Sequence, residues 1–547
     1  MFKRLVQNGK EILEKESSSI LSAATIIMGA TLISAVLGVV RTRLLISHFY
    51  VDKGMVDVFW AAFRLPDMIF QIVVVGALSS AFIPVFSRHI GNRDEANRLA
   101  SSAITVVMGV MVALSILIMI LAEPLSRVIA GGFTESQIEI MVNLTRIMAG
   151  AQLFFGFSSF LTGIIQSRKR FLIPALSPVL YNVGIIIGIV GLGRMFGIYG
   201  PAIGVIIGAL LHLIAQIPLA RSLGFQYRPT LRVESGVREM GGLMLPRTLT
   251  LSLAQIESTV IIAFSSWLGL GMVTIVSIAQ QLAGLPVRLV GIPIAQASLP
   301  FFARTGDSLQ NLARIVTSTI LEMLYLALPA SAIILVLRIP FVRLAYGADS
   351  FPWGETVMTG KLVAILAVSI AARSLTHIIV RVFYALHDTK TPFFIGLIST
   401  IINVGLSYYL LFIIGSGVMG MAVAITIAAL VETAALASAL YKRANLSRRE
   451  IVGPLSKIVF ATIVMGFSLW GPLRLLDQLI FDTTRTIPLI MLTITVSIIG
   501  LVVYVGLSYM LQIKELAVFA RIGEKLGNWQ KYLGLSGEPI ESQESSV

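Results

Sequence analysis

The chain has 547 residues, 56% of them hydrophobic and only 13% charged, with a net charge of +14. Soluble domains hold about 25% charged residues, so this balance excludes a soluble protein and points to a chain that crosses a membrane many times. The absence of cysteine excludes disulfides, thiolate metal sites and cysteine nucleophiles, and five scattered histidines give no metal-ligand spacing, so neither a metal nor a cofactor is expected. The excess of positive charge is read as basic loops beside anionic lipid headgroups rather than as nucleic acid binding.

Residues 1–19 (MFKRLVQNGKEILEKESSS) are charged and lack a short apolar core with a cleavage site, so they read as a cytoplasmic lead-in and not as a removed signal. A bilayer core needs about 20 apolar residues per helix. On that basis the expected fold is an all-α polytopic membrane protein of about fourteen helices. The first six lie near 20–47, 57–87, 99–122, 137–166, 172–193 and 198–220. A linker follows at 221–238, then six more near 239–266, 270–302, 311–337, 356–386, 391–414 and 417–441. Two appended helices, near 451–473 and 485–511, lie within 442–511, and a polar cytoplasmic tail fills 512–547.

Arginine and lysine concentrate in alternate loops: Arg88, Arg93 and Arg98; Arg168, Lys169 and Arg170; Arg221, Arg228 and Arg232; Lys442, Arg443, Arg448 and Arg449. The positive-inside rule makes that side cytoplasmic and, with fourteen helices, puts both termini there.

The chain repeats itself at a spacing of about 220 residues. Leu65-Pro66 recurs as Leu285-Pro286, PVFSR at 84–88 as PFFAR at 300–304, and NVG at 182–184 as NVG at 403–405. YGPAIGVIIGAL at 199–210 matches MGMAVAITIAAL at 419–430. Six helices repeated in the same orientation imply an N-lobe (20–220) and a C-lobe (239–441) around a cavity that moves by rocking.

Charges inside such helices are costly and face partners or water-filled cavities. Arg41, Arg43, Asp57, Arg64 and Asp67 fall in the first two helices; Arg146, Arg247, Glu257, Arg288, Glu322, Arg373, Arg381 and Glu432 follow. The set is mainly arginine, whose planar fork of donors matches phosphate oxygens, so an anionic headgroup such as a diphosphate is the expected cargo. A proton-coupled cation exporter would need carboxylates in the cavity, for which Glu257 and Asp57 are the nearest candidates. The candidate substrate-binding residues are Arg41, Arg43, Asp57, Arg64, Arg288, Arg373 and Arg381. Each has a structural alternative. Arg41 and Arg43, two apart, cannot share one narrow helix face. Asp57 equally suits the dipole at the start of the second helix. Arg64 and Asp67 can pair across the bend at Pro66, and Arg288 occupies the corresponding bend after Pro286. Arg373, His377 and Arg381 recur on one face of the tenth helix. No GK[ST] phosphate loop is present, and the loops lack the acidic clusters that a Mg²⁺-dependent transferase needs.

SAVLGVVRTRLL at 34–45, VDVFWAAFRLPDMI at 56–69, GALSSAFIPVFSR at 76–88, FLIPALSPVLYNVGIIIG at 171–188 and VRVFYALHDTKTP at 380–392 resemble the MurJ (MviN) family. These are the lipid II flippases of bacterial peptidoglycan synthesis, within the multidrug/oligosaccharidyl-lipid/polysaccharide exporter superfamily. The resemblance covers essentially the whole chain. It implies a transporter, not an enzyme, in the bacterial inner membrane. The implied cargo is undecaprenyl-diphosphate-linked peptidoglycan precursor, moved from inner to outer leaflet by alternating access. It also implies N-lobe arginines on the diphosphate, a tail groove on the appended helices, and other cell-wall synthesis proteins as neighbours. Arg41, Asp57 and Arg381 match family positions. Ala35, Thr42, Gln71 and Gln281 depart from charged residues common in the family. Two readings stay open: Arg43, Arg64 and Arg288 compensate from neighbouring positions, or the cargo is another polyprenyl-diphosphate glycan or a drug. Membrane potential and an ion gradient are the two drivers left in play.

Overall fold

In a computed structural model, residues 20–230, 232–304, 309–444 and 446–517 are described. The lead-in at 1–19 and the tail beyond 517 lie outside the described residues, as does the Arg247 side chain. Fourteen long helices dominate the described chain. In order they are α1 (Ile20–Phe49), α2 (53–89), α3 (Arg93–Ile129), α4 (Glu135–Ser167), α5 (172–196), α6 (199–222) and α7 (Ser235–Ser266). The second series is α8 (272–304), α9 (Leu309–Val336), α10 (353–385), α11 (390–413), α12 (Gly417–Ala444), α13 (Arg448–Leu479) and α14 (Thr486–Met510). Among the described residues twelve are long and apolar enough to cross a membrane; the two pieces of α10, bent by 42°, are so only when taken together, and α7 carries its apolar stretch at Leu251–Ser266.

Local chemistry sets the ends. Asn92 opens α3 by accepting from Glu95 N at 3.3 Å. Thr134 and Gln137 form a reciprocal capping box on α4, which satisfies two otherwise orphaned donors. In the interior, Pro66 and Pro286 each remove one ladder hydrogen bond. Soon after each, the helix relaxes into a π turn, Phe70–Val75 in α2 and Val287–Gly291 in α8. Such turns let a helix absorb a broken ladder and often mark functional positions.

The two halves repeat one packing scheme. In the first, α1 packs on α5, α2 and α3 on α4, and α4 and α5 on α6; in the second, α7 packs on α11, α8 and α9 on α10, and α10 and α11 on α12. The α5–α6 contact is close enough that a Cβ on Gly184 would lie 2.3 Å from Gly208 Cα, so small residues are required there. The loop after α6 is laid along α3: Ser102 Oγ donates to Arg232 O, and Arg228 N donates to Ser101 Oγ. The last two helices pack on α9 through Leu321, Tyr325, Ile458, Met465, Leu469, Val496 and Tyr504. Four features are absent from the sequence-based expectation. They are the π turns, the break in α10 at Val368-Ser369, the short connecting helix Arg338–Tyr346, and a start for α2 at Lys53 rather than 57.

Candidate functional site

The loops fall on two faces. One carries the basic turns at 90–92, 168–171 and 386–389; the opposite face carries 50–52, 130–134, 267–271 and 347–352. The two lobes meet tightly at the opposite face.

Asp57 makes the central contact there. It is 1% exposed and accepts from Gly271 N (2.7 Å), Thr274 N (2.7 Å) and Thr274 Oγ1 (2.6 Å). Those donors open α8, and Gly271 reaches them with a left-handed φ of 84°. Asp57 therefore caps a helix, but one in the other lobe; its own helix is capped by Asp52, which accepts from Gly54 N. In this closed state its carboxylate is spent on α8 and is not offered to a cavity.

Around it, Lys53 pairs with Glu355, Ser350 Oγ donates to Ile46 O at 3.0 Å, and the Tyr50 and Phe351 rings pack 4.9 Å apart. Gly132 N donates to Ser266 Oγ at 3.2 Å, and a Cβ on Gly132 would meet Ser266 O at 2.2 Å. Toward the basic face the lobes diverge. There Ile83–His89 packs on α3 and α4, and Ile292–Arg304 on α9 and α10. Helix α7 leans across, with Arg88 Nη2 2.5 Å from Glu239 Oε1 at the rim.

Beneath the seal, the arginines separate by role. Arg41 and Arg43 lie about 200° apart on α1, and the structure sends them to different partners. Arg41 Nη1 donates to Asn182 Oδ1 on α5 at 3.1 Å. Asn182 is itself fixed, donating through Nδ2 to Ser34 O, Ser34 Oγ and Pro178 O, each at 3.2 Å. Arg43 Nη1 instead donates to Leu344 O, at the end of the connecting helix, and so belongs to the seal. Arg64 is a pin between α2 and α7: Nε donates to Thr259 Oγ1 (3.0 Å) and Nη2 to Gln255 O (2.7 Å) and Gln255 Oε1 (2.6 Å), with Asp67 3.7 Å away. Three of its donations go to α7, which leaves little of the fork for a ligand.

Arg288, in the second lobe, is exposed and donates from Nη2 to Gln281 O at 2.7 Å, across the turn that Pro286 interrupts. Tyr346, at the end of the connecting helix and 1% exposed, stands within electrostatic reach of both Arg288 and Arg41. Two positions that depart from the family pattern adjoin these groups: Gln71 donates to Asp67 Oδ1, and the Gln281 carbonyl receives Arg288.

The second lobe's wall is a recess of about 230 Å³ lined by Glu257, Gln280, Gly284, Ser369 and Arg373, among others. Glu257 Oε1 accepts from Asn403 Nδ2 at 2.6 Å, and Glu432 stands within electrostatic reach of Glu257 and Arg373. Arg373 and His377 are exposed on α10, and Arg381 lies below them, its guanidinium carbon 6.0 Å from the Tyr384 ring centre. Sequence reasoning did not single out Asn182, Asn403, Gln255 or Tyr346 as site residues. The repeated NVG motif carried the signal for the first two, as a side-chain amide twice placed in an apolar run. Among the described residues, no group of three or more acids and histidines is placed to hold a metal ion.

Comparison with known proteins gives one consistent result. Residues 46–488 match the family model described as "Lipid II flippase MurJ". A probable lipid II flippase MurJ of Bdellovibrio bacteriovorus is 27% identical over 527 residues, covering 93% of this chain and 98% of that protein. One from Thermotoga maritima is 25% identical, covering 90% and 97%. A solved lipid II flippase MurJ in an inward closed conformation superposes with a TM-score of 0.72 at 22% identity, covering 87% of this chain and 98% of that one. An inward-facing multidrug resistance MATE family transporter gives 0.63 at 16% identity, covering 77% and 98%. The family match runs from within α1 into α14 and takes in both lobes, so the chain, a multi-pass membrane protein, belongs to the lipid II flippase MurJ family.

Proposed function

We propose that this chain carries lipid II across the bacterial inner membrane, taking the lipid-linked diphosphate at the basic, cytoplasmic face and releasing it at the other by alternating access. The observation that carries this reading is the placement of one intramembrane arginine in each lobe, Arg41 held on Asn182 and Arg288 held on the Gln281 carbonyl, beneath a sealed opposite face. Guanidinium forks suit phosphate oxygens. Arg373 and Arg381 continue the cationic lining toward the mouth.

Arg43, Arg64 and Asp57 act in the switch between states. They join the lobes now, and their partners must change when the seal opens. Both termini then lie in the cytoplasm, and the basic loops rest against anionic headgroups. An electrochemical gradient resets the cycle; moving charge through the membrane potential supplies about 2.3 kcal/mol per charge per 100 mV.

Arg41→Ala is expected to abolish appearance of lipid II in the outer leaflet while the protein still inserts and unfolds at its normal temperature. A leaflet-accessibility assay in flippase-depleted cells reads this directly. Transport at the wild-type rate by that variant would remove the assignment.

A further inference from the structure

Tyr50 follows directly on α1, its N–H still donating to Ile46 O at 2.9 Å, so its backbone belongs to the first lobe. Its side chain does not stay there. The ring is 1% exposed, and two loops of the second lobe close over it. Phe351, in the loop 347–352, packs with its ring centre 4.9 Å away. Gly271, at the end of the loop 267–271, approaches so closely that a Cβ on it would lie 2.5 Å from the phenol oxygen. The ring is thus a peg from one lobe, set between two loops of the other.

The tip of the peg is a polar atom with nothing to bond. The Tyr50 hydroxyl is buried and has no hydrogen-bond partner among the described residues. The polar groups of the seal are matched with one another instead: the Gly271 N–H serves Asp57, and Glu355 pairs with Lys53. A hydroxyl in this position loses its hydration and gains no bond in exchange. Folded proteins keep few such groups, and each calls for a reason. Phenylalanine would fill the same space with the same ring and none of that cost.

The reason follows from where the ring sits. Tyr50 and the loops that cover it belong to different lobes, so parting the seal uncovers the hydroxyl and lets water bond it. An unpaired hydroxyl buried within one lobe would stay dry in both states and favour neither. We propose that the Tyr50 hydroxyl biases the transporter toward opening: the ring fills the seal, while its dehydrated tip limits how firmly the closed state holds. This rests on the alternating access proposed above. It makes Tyr50 a residue that tunes the balance between the two states without touching the cargo.

Ring and hydroxyl act in opposite directions, and the test separates them. Spin labels on S136C and D349C, both exposed and one in each lobe on the sealed face, report lobe separation in the full-length protein in lipid nanodiscs, read by double electron–electron resonance. The native chain adds no cysteine of its own. Tyr50→Phe is expected to lower the ratio of long to short separations about tenfold and to slow lipid II transport. Tyr50→Ala removes the peg and is expected to raise that ratio. Thr359→Val is the control. Its hydroxyl is also fully buried and unpartnered, but on the segment Trp353–Ala367, which packs on second-lobe helices. It is expected to raise Tm and leave the ratio unchanged. A ratio in Tyr50→Phe equal to or above that of the wild type overturns the proposal, as does an equal shift in Thr359→Val. A single short separation in the wild type, with and without lipid II, would remove the alternating access itself and this inference with it.

Discussion

Asn182 and Asn403 sit in the same NVG motif, on α5 and α11, each facing the first helix of its lobe. In the first lobe the carboxamide oxygen accepts from Arg41; in the second the carboxamide nitrogen donates to Glu257. An amide serves either sign because it carries both an acceptor and a donor. The scaffold could therefore be duplicated and its charge inverted without redesigning the partner. The first lobe presents a cation beneath the seal, while in the second Arg373 is accompanied by Glu257 and Glu432. Packing is what the repeat preserved; electrostatics is what it let diverge.

The sharpest way to break this comparison is one substitution made twice. Asn182→Asp places a carboxylate against Arg41 but loses the donor to the Ser34 and Pro178 carbonyls; it is expected to lower Tm less than the equivalent change in the second lobe, while transport falls because the cation is neutralised. Asn403→Asp sets a second carboxylate against Glu257 and is expected to cost about 1–3 kcal/mol at neutral pH. That penalty shrinks as pH falls, because one proton shared by the pair removes the repulsion. Equal Tm changes at the two sites would show that the two amides do not work in opposite directions.

The seal, where the lobes meet, is next. Gly132→Val drives side-chain atoms into the Ser266 carbonyl, and overpacking of this kind costs about 1–3 kcal/mol. Because the native chain has no cysteine, a single cysteine replacing Phe351 reports the opening without background. Its labelling from the face opposite the basic loops is expected to rise in the Gly132→Val variant. Asp57→Ala removes the cap from α8 and is expected to cost about 0.5–2 kcal/mol, read as a lower Tm and faster labelling of the same cysteine.

The smallest expected effect lies at a pair of equivalent turns. Lys169 and His387 both adopt a left-handed φ, 56° and 57°, one in each lobe. In the second lobe Asp388 stitches the turn, accepting from Thr391 N, Thr391 Oγ1, Lys390 N and Arg443 Nη1. Burial pushes its carboxyl up, but the Thr391 and Lys390 hydrogen bonds and the Arg443 charge outweigh that and hold it below the usual carboxylate value. Its contribution is therefore present above the ordinary aspartate range and lost as pH falls through the lowered value. Asp388→Asn is expected to cost about 1 kcal/mol or less and to flatten that acid limb of the Tm–pH curve.

The helices were legible because a membrane span is written locally, as some twenty apolar residues between polar ends. The pairings were not, because they join residues far apart in the chain. Asp57 reads as a cap from its position at a helix start. That the capped helix begins at Gly271 depends on how two lobes dock, and no local pattern records this. The break at Val368-Ser369 has neither proline nor glycine to announce it. Arg41 stood out as a charge in an apolar run; the amide that orients it was visible only as half of a repeat.

The chemistry of the Asp57 cap also governs how readily the transporter can turn. When the seal parts, a bare carboxylate and a set of helix N–H groups are uncovered, and bulk water hydrates both. A closure held mainly by apolar packing would expose surface that water cannot compensate. A hydrogen bond to a charged group exchanged for hydration is worth about 1.5–3 kcal/mol net, well below its strength in an apolar medium. This closure therefore fixes geometry tightly while water recovers much of its strength on opening. Such a latch is reversible on the time scale of turnover, and a cargo need bind the alternative state only modestly better to tip the balance.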